Sequence, residues 1–330
     1  ALRRRDIEIL SETAMTGLLQ EGGRVIGAAV RDANGHSRAI IASRGLVLTT
    51  GGIENDSELV DAHLPIPLLR PVGNPGNTGD GLRAASALGA ALWHMSSFYG
   101  FWAFSAPEWA TSFPLLFFSP AHLIVDGDGR RFLAEAGREP HDALRNIGDY
   151  LPSRTNRPTL PAWVVFDSSL LSAGPFCRFP SATGYAWSGD NQAELQSGWI
   201  TEAGSVRDLA QRIGVDDDRL AETVGRFNAA AERGADEEFG RPAATMGPIA
   251  GPPFYAMRIW PGVATASGGP RRDANARVVR PGGEPIPGLY AAGGNGGIWG
   301  HLTEHGGGLT DGMVFGAIAA RHALTQDVKT

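Results

Sequence analysis

An α/β fold is predicted from three stretches of the chain. A strand-like run from Gly45 to Thr50 ends in Gly51-Gly52 and passes into a helical pattern, "ENDSELVDAH". A glycine-rich loop opens "NPGNTGDGLRAASALGAAL" (74–92), in which Leu82, Ala85, Leu88 and Leu92 recur at helical spacing. A third strand-like run, "GLYAAGG" (288–294), precedes a closing helix expected at about 309–325. Strands that end in glycine turns and hand over to helices are the pattern of α/β chains.

The elements follow in order. "IEIL", "TAMTGLLQ" and "RVIGAAVRDANGHSRAIIASRGLVLTTGG" predict a run of strands, with turns at 21–23 and 32–35. Asn55 or Asp56 is a suitable N-cap for the next helix. Asn77 or Thr78 can cap the one after it, and Asp80 places a negative charge in that helix's first turn, where the dipole favours it. From Trp93 the composition shifts to an aromatic-dense stretch, so a domain boundary is placed near 93. Residues 205–234 predict two helices, the second with Leu220, Val224, Phe227 and Ala231 on one face. "GPPFYAMRI" (251–259) predicts a return strand, and the segment after it a hairpin, a turn and a strand.

Composition narrows the function. A net charge of −6 without a basic stripe argues against a nucleic-acid partner. The 45 glycines cluster in short loops, as where backbone must approach a ligand. Cys177 is the single cysteine, which excludes an internal disulfide and suits a reducing compartment. No secretory signal pattern or membrane-length apolar run is evident; Phe113 to Val125 is broken by Pro114, Pro120 and His122. The expectation is a cytoplasmic protein with no membrane partner.

The stretch "WGHLTEHGGGLTDG" (299–312) contains an H-x-x-E-H string, a zinc-peptidase signature that needs both histidines on one helical face. Gly296, Gly297, Gly300, Gly306, Gly307 and Gly308 flank it, each unfavourable in a helix by about 1 kcal/mol relative to alanine. No metal is therefore expected. Two readings remain: exposed loop histidines without a role, or a loop that wraps a cofactor ahead of a helix N-terminus, whose unpaired N–H groups favour negative charge.

Eight segments carry a resemblance in order: "GLVLTTGGIEND", "NTGDGLRAASALGA", "DGRRFLAE", "GADEEFGRP", "PPFYAMRI", "GGPRRDANARV", "GLYAAGG" and "GGGLTDGMVFGAIAARHA". Together they resemble the flavoprotein family of fumarate reductase, succinate dehydrogenase and 3-ketosteroid dehydrogenase. The resemblance implies a glutathione-reductase-like FAD-binding domain interrupted by an α+β capping domain. Its expected parts are 1–92 and 256–330 for the FAD-binding domain and 93–255 for the cap. It implies FAD as cofactor, with Gly51, Gly52, Asn77, Thr78, Gly79, Asp80, Gly293, Gly294, Gly308 and Leu309 as its neighbours; Gly89 serves helix packing instead.

One departure is large. The family opens with a strand, G-x-G-x-x-G and a helix that hold the pyrophosphate, and no G-x-G-x-x-G occurs here. The chain is thus expected to be a fragment, a truncated product or half of a split protein. Alone it is expected to bind FAD weakly or not at all, to show no dehydrogenase activity, and to associate with itself or a partner chain across an incomplete sheet.

The family moves a hydride between carbon and flavin, with a proton leaving or joining the neighbouring carbon, so an acid or base must stand beside that carbon. The dicarboxylate branch carries a His-Thr pair before two glycines; "ATASGGP" has Thr265 and Ala266 there. "GGPRRD" and "PIPGLYAAG" are more similar to the steroid branch. The aromatic stretch 93–118 suits a flat apolar substrate or is plain core. The steroid enzymes use a tyrosine before the last glycine turn, where this chain has Leu302 to His305. His301, Glu304 and His305 are the acid/base candidates, against the alternative of solvent exposure. Arg131 and Glu135 in "GRRFLAE" match a family pair and are read as a structural salt bridge before a catalytic one.

Overall fold

A computed structural model describes residues 7–136, 144, 160–179, 184–300 and 306–326. The chain divides into two units. One comprises Ala1–Leu64, Gly76–Phe98 and Thr265–Thr330; the other comprises Pro65–Pro75 and Tyr99–Ala264. The limits expected from composition, 93 and 256, fall inside these segments.

In the first unit, strands Thr13–Glu21, Arg24–Asp32 and Ser37–Ile41 form an antiparallel sheet in that order. "IEIL" does not join them. Residues 7–10 are exposed coil, because their alternating isoleucines meet no pairing strand and bury nothing. A second sheet places Pro285–Ala291 between Arg277–Val279 and Leu46–Leu48. The pairing with Leu46–Leu48 is parallel, with Tyr290 opposite Val47 and Ala291 opposite Leu48. Val25, Leu48, Ala85, Val278, Ile286 and Leu289 bury their side chains together. Each of the larger ones stabilises the unit by about 1.5–3 kcal/mol through removal from water.

Among the described residues this unit holds three helices. Ser57–His63 is capped by Asp56, whose carboxylate accepts the Leu59 N–H at 3.0 Å. Asp80–Ala87 starts after Gly79 without a side-chain cap. The cap expected from Asn77 or Thr78 is not made, because the helix begins later than either residue can reach. The Thr78 hydroxyl donates instead to Asp80 at 3.2 Å. The last helix runs Gly307–Leu324.

The second unit centres on one long strand, Phe254–Val263, in a seven-stranded sheet. It pairs antiparallel with Ala162–Asp167, Ile200–Ala203 and Trp102–Phe104, and parallel with Arg70–Pro71. Helices Val206–Ile213 and Asp217–Arg233 start at Ser205 and Asp216, whose side chains accept backbone N–H groups, and stop at left-handed Gly214 and Gly234. Leu220, Val224 and Phe227 pack with Leu123, Val125 and Val165, and Ala231 packs against the same cluster, partly buried. Of the aromatic stretch, Trp102, Phe104 and Phe113 are core and Phe118 is half exposed.

Candidate cofactor site

The parallel strands Leu46–Leu48 and Pro285–Ala291 point their carboxyl ends the same way, and each continues into a glycine pair. Crevices at such ends are where open α/β sheets take ligands. Gly51 and Gly293 turn the chain with φ of 74° and 72°, in the left-handed region that disfavours a side chain. The two turns are adjacent: a Cβ on Gly294 would lie 3.7 Å from the Gly51 Cα. A Cβ on Gly51 would collide with the Asn77 side chain, so the 77–79 loop is packed on the same turn. The Gly79 N–H donates to the Gly52 carbonyl at 3.1 Å, and the Asn55 N–H to the Asn77 carbonyl at 3.0 Å.

Gly51, Gly52, Asn77, Thr78, Gly79, Gly293 and Gly294 therefore converge on one backbone-lined place, with the first turn of Asp80–Ala87 opening beside it. Asp80 itself is exposed at that helix start. Gly308 and Leu309 lie in the first turn of Gly307–Leu324. A Cβ on Gly308 would meet nothing within 4 Å, and Leu309 is 77% exposed. His301, Glu304 and His305 lie outside the described residues. Among the described residues, no group of three or more His, Cys, Asp or Glu side chains could hold a metal ion, and no helix is long and apolar enough to cross a membrane.

Four residues that the sequence reading did not single out organise this place. Asp311 is 2% exposed and accepts from the Gly293 N–H at 2.7 Å and the Ile298 N–H at 3.4 Å. It also pairs with Arg272, which donates to the Ala291 carbonyl at 3.0 Å and lies over the Phe315 ring. Burial holds the Arg272 pKa below the usual arginine value against that pairing. Glu54 is 2% exposed; its Oε1 accepts the Ala266 N–H at 2.7 Å and its Oε2 has no partner. Burial outweighs the help of its own and the Ala266 N–H groups and of the Asn77 side chain, and pushes its pKa up to about 7. His94 bonds the same glycine loop, at the Gly297 carbonyl. "GGIE" carried the one available signal, an acid directly after a glycine turn; Arg272, Asp311 and His94 had none at the level of a single sequence.

The place fits a flat, polar-edged cofactor. Bare glycine backbone lets a ring approach closely, and a helix N-terminus favours a negative partner. Buried Thr50 Oγ1 and Asn295 Nδ2, both without hydrogen-bond partners, flank Gly81 at its base.

The sequence matches the FAD binding domain family over residues 1–309. The chain belongs to that family. It is 33% identical to a 3-oxosteroid 1-dehydrogenase of Mycobacterium tuberculosis, over 98% of this chain and 61% of the relative. It is 28% identical to an NADH:fumarate oxidoreductase of Klebsiella pneumoniae, over 98% of this chain and 32% of the relative. The structure superposes with a TM-score of 0.83 on the 3-ketosteroid delta1-dehydrogenase of Sterolibacterium denitrificans in complex with 1,4-androstadiene-3,17-dione. Identity there is 29%, covering 98% of this chain and 61% of that one. The chain thus spans about three-fifths of the length of these steroid dehydrogenase relatives.

Proposed function

We propose that this chain belongs to an FAD-dependent oxidoreductase that acts on a CH–CH bond of a flat apolar ketone of the 3-ketosteroid class. The observation that carries the reading is the convergence of the glycine turns 51–52, 77–79 and 293–294 at the carboxyl ends of two parallel strands. The unit of 76–98 and 265–330 with the N-terminal strands is read as part of a glutathione-reductase-like FAD-binding domain. Residues 99–264 are read as the substrate-capping domain.

FAD, when bound, supplies the hydride-accepting centre. The glycine turns offer backbone to the ring, and the start of Gly307–Leu324 offers unpaired N–H groups to the negative edge of the reduced ring. Asp311 and Arg272 hold the 293–298 loop in shape. His301, Glu304 and His305 are the residues proposed to hold or move the proton at the carbon next to the one that gives up hydride.

A steroid substrate is favoured over a dicarboxylate because Thr265 and Ala266 stand where the dicarboxylate branch has its His-Thr pair. The higher identity to the steroid relative supports the same choice. The test is direct. The purified oxidoreductase to which this chain belongs is titrated with FAD, flavin absorbance at about 450 nm is followed, and reduction by a 3-ketosteroid is compared with reoxidation by fumarate. Bound flavin bleached by the ketosteroid is expected. Flavin turnover with fumarate alone would move the chain to the dicarboxylate branch, and no flavin binding would remove the cofactor reading.

A further inference from the structure

Glu54 follows the glycine turn 51–52 and folds its side chain back onto it. A Cβ on Gly52 would lie 2.5 Å from Oε2 and 2.7 Å from Oε1, so only a glycine there leaves room for the carboxyl group. Oε1 accepts the Ala266 N–H at 2.7 Å. Oε2 is sealed from solvent as well, and among the described residues nothing bonds it. The surroundings are apolar: Ile53 and Ala266, on either side of the carboxyl group, pack with Leu82, Leu59 and Met95.

No positive charge offsets this burial. Arg83, on Asp80–Ala87, is engaged at the surface by Asp56 and Glu58. Asp80 is exposed and takes the Thr78 hydroxyl. His94 is turned to the Gly297 carbonyl, and Asp311 is paired with Arg272. Segment 264–270 carries no titratable side chain. Asp61 and His63, farther along Ser57–His63, have no influence on Glu54; burial, its own N–H, the Ala266 N–H and the Asn77 side chain are what act on it, and burial prevails, with a pKa of about 7. A buried carboxyl group without a cation favours its neutral form. Oε1 is an acceptor, so the hydrogen resides on Oε2.

That hydrogen matters once the charge of the cofactor is considered. FAD brings a diphosphate, and its reduced ring carries further negative charge. Helix N-termini and glycine backbone receive such groups through unpaired N–H donors. An ionised Glu54 beside the same turns would repel them, all the more strongly in a place that excludes water. A neutral Glu54 removes the repulsion and adds one donor. We propose that Glu54 is a proton-linked donor for the cofactor: it meets bound FAD as a neutral carboxylic acid with Oε2–H donating, and where it is ionised beforehand it takes one proton from water as FAD binds. The proposal rests on the oxidoreductase reading for the cofactor alone; the substrate plays no part in it.

The sign of the linkage is testable. Binding to the neutral form raises the Glu54 pKa above its value in the free protein, so affinity falls as pH rises past that value. The purified oxidoreductase to which this chain belongs is freed of flavin and titrated with FAD by flavin fluorescence from about pH 6 to about pH 9. The wild-type Kd is expected to be level at the acid end and to rise above about pH 7, by at most about tenfold per pH unit, the limit for one linked proton. Glu54→Gln keeps the shape, the acceptor and the donor and cannot ionise. It is expected to bind FAD as wild type does at the acid end and more tightly at the alkaline end, with a flatter profile. Calorimetry in two buffers of different ionisation enthalpy should show proton uptake by wild type at about pH 8 and less by the variant. Profiles of equal slope and equal proton uptake in the two proteins overturn the proposal.

A Glu54→Gln protein that does not fold leaves a wild-type measurement that decides the same point. The infrared difference spectrum of wild type with and without FAD, taken at about pH 8, should gain the carbonyl band of a protonated carboxyl group at the expense of a carboxylate band. Loss of the protonated band on adding FAD, or no change in either band, overturns the proposal. A protein that binds FAD with this proton uptake and oxidises no ketosteroid defeats the proposed function alone. One that oxidises the ketosteroid and binds FAD without proton uptake defeats the role of Glu54 alone, and one that binds no FAD defeats both.

Discussion

Glu54 in the first unit and Glu135 in the second both bury their side chains, and these two acids are treated in opposite ways. Glu135, in the second unit, accepts from Arg131 at 2.8 Å through each oxygen and from Arg241 at 3.1 Å. Arg131 also binds Asp236 at 2.9 Å, and Arg241 fills its remaining donors with the carbonyls of Pro120, His122 and Thr245 and with the Thr245 hydroxyl. Both guanidinium groups lie over Phe227. Burial would raise the Glu135 pKa, but the hydrogen bonds and charge of Arg131 and the charge of Arg241 hold it below the ordinary glutamate value. Glu54, in the first unit, accepts the Ala266 N–H on Oε1 and leaves Oε2 without a hydrogen bond, and burial outweighs the help of its own N–H, the Ala266 N–H and the Asn77 side chain to push its pKa up to about 7. A saturated network of charges specifies a fold; an unsaturated buried acid beside glycine turns marks a place arranged for something else.

The saturated network gives the largest expected effect. Glu135→Leu leaves two buried guanidinium groups short of a carboxylate. Breaking a buried ion pair from one side typically removes about 3–5 kcal/mol. The urea midpoint of the variant is expected to fall accordingly, together with that of Asp236→Leu by a smaller step, since Asp236 pairs with one guanidinium, that of Arg131, and otherwise accepts the backbone N–H groups of Glu238, Phe239 and Arg241. A Glu135→Leu protein as stable as wild type would show that the network is dispensable and that its burial says nothing about structural purpose. His122 belongs to the same region: burial and the Arg241 charge push its pKa down to about 4, so it stays neutral while its Nδ1–H donates to the Ser119 carbonyl at 2.7 Å.

The unsaturated acid gives a pH dependence. The Glu54 pKa is raised in the folded protein to about 7 from 4.5, so between these values the folded state holds more protons than the unfolded one. Its contribution to stability is therefore complete below pH 4.5 and is lost as pH rises through about 7. The full difference is about 3 kcal/mol at 1.36 kcal/mol per unit. Glu54→Gln cannot titrate, so a plot of wild-type minus variant stability against pH should fall through that window and flatten above it. A flat difference would mean that Glu54 is ionised in the folded state and has a partner for Oε2.

How much of this was legible beforehand follows physical lines. Glycine turns after strands, the Asp56 cap and the Leu220–Val224–Phe227 face are local patterns, and local patterns survive in one sequence. The family membership was legible for a different reason, since eight ordered segments constrain each other. Arg272 and Asp311 were not legible, because 39 positions separate them and nothing in either neighbourhood announces the other. His94 was hidden likewise: its partner Gly297 lies 203 residues away. "IEIL" misled because alternation predicts a strand only where a second strand exists to pair with it. Asn77 and Thr78 misled because the helix chose the glycine after them as its start.

The smallest effect comes from an acid that is neither saturated in a core nor stranded in one. Asp56 caps Ser57–His63 through the Leu59 N–H and meets Arg83 across the surface at 2.6 Å. Partial burial pulls its pKa up, yet the hydrogen bonds from Arg83 and from backbone N–H groups hold it below the usual aspartate value. Asp56→Ala removes both interactions and should lower stability by about 1 kcal/mol, most of it from the cap. Asp56→Asn keeps an oxygen to accept the Leu59 N–H and gives up only the charge. An exposed pair is worth about 0–1 kcal/mol, so Asn should recover most of the loss, and its remaining deficit should shrink further in high salt as screening removes what Arg83 contributed. Equal losses in the Asn and Ala variants would instead assign the stabilisation to the ion pair. That result would place Asp56 nearer to Glu135 than to an ordinary helix cap.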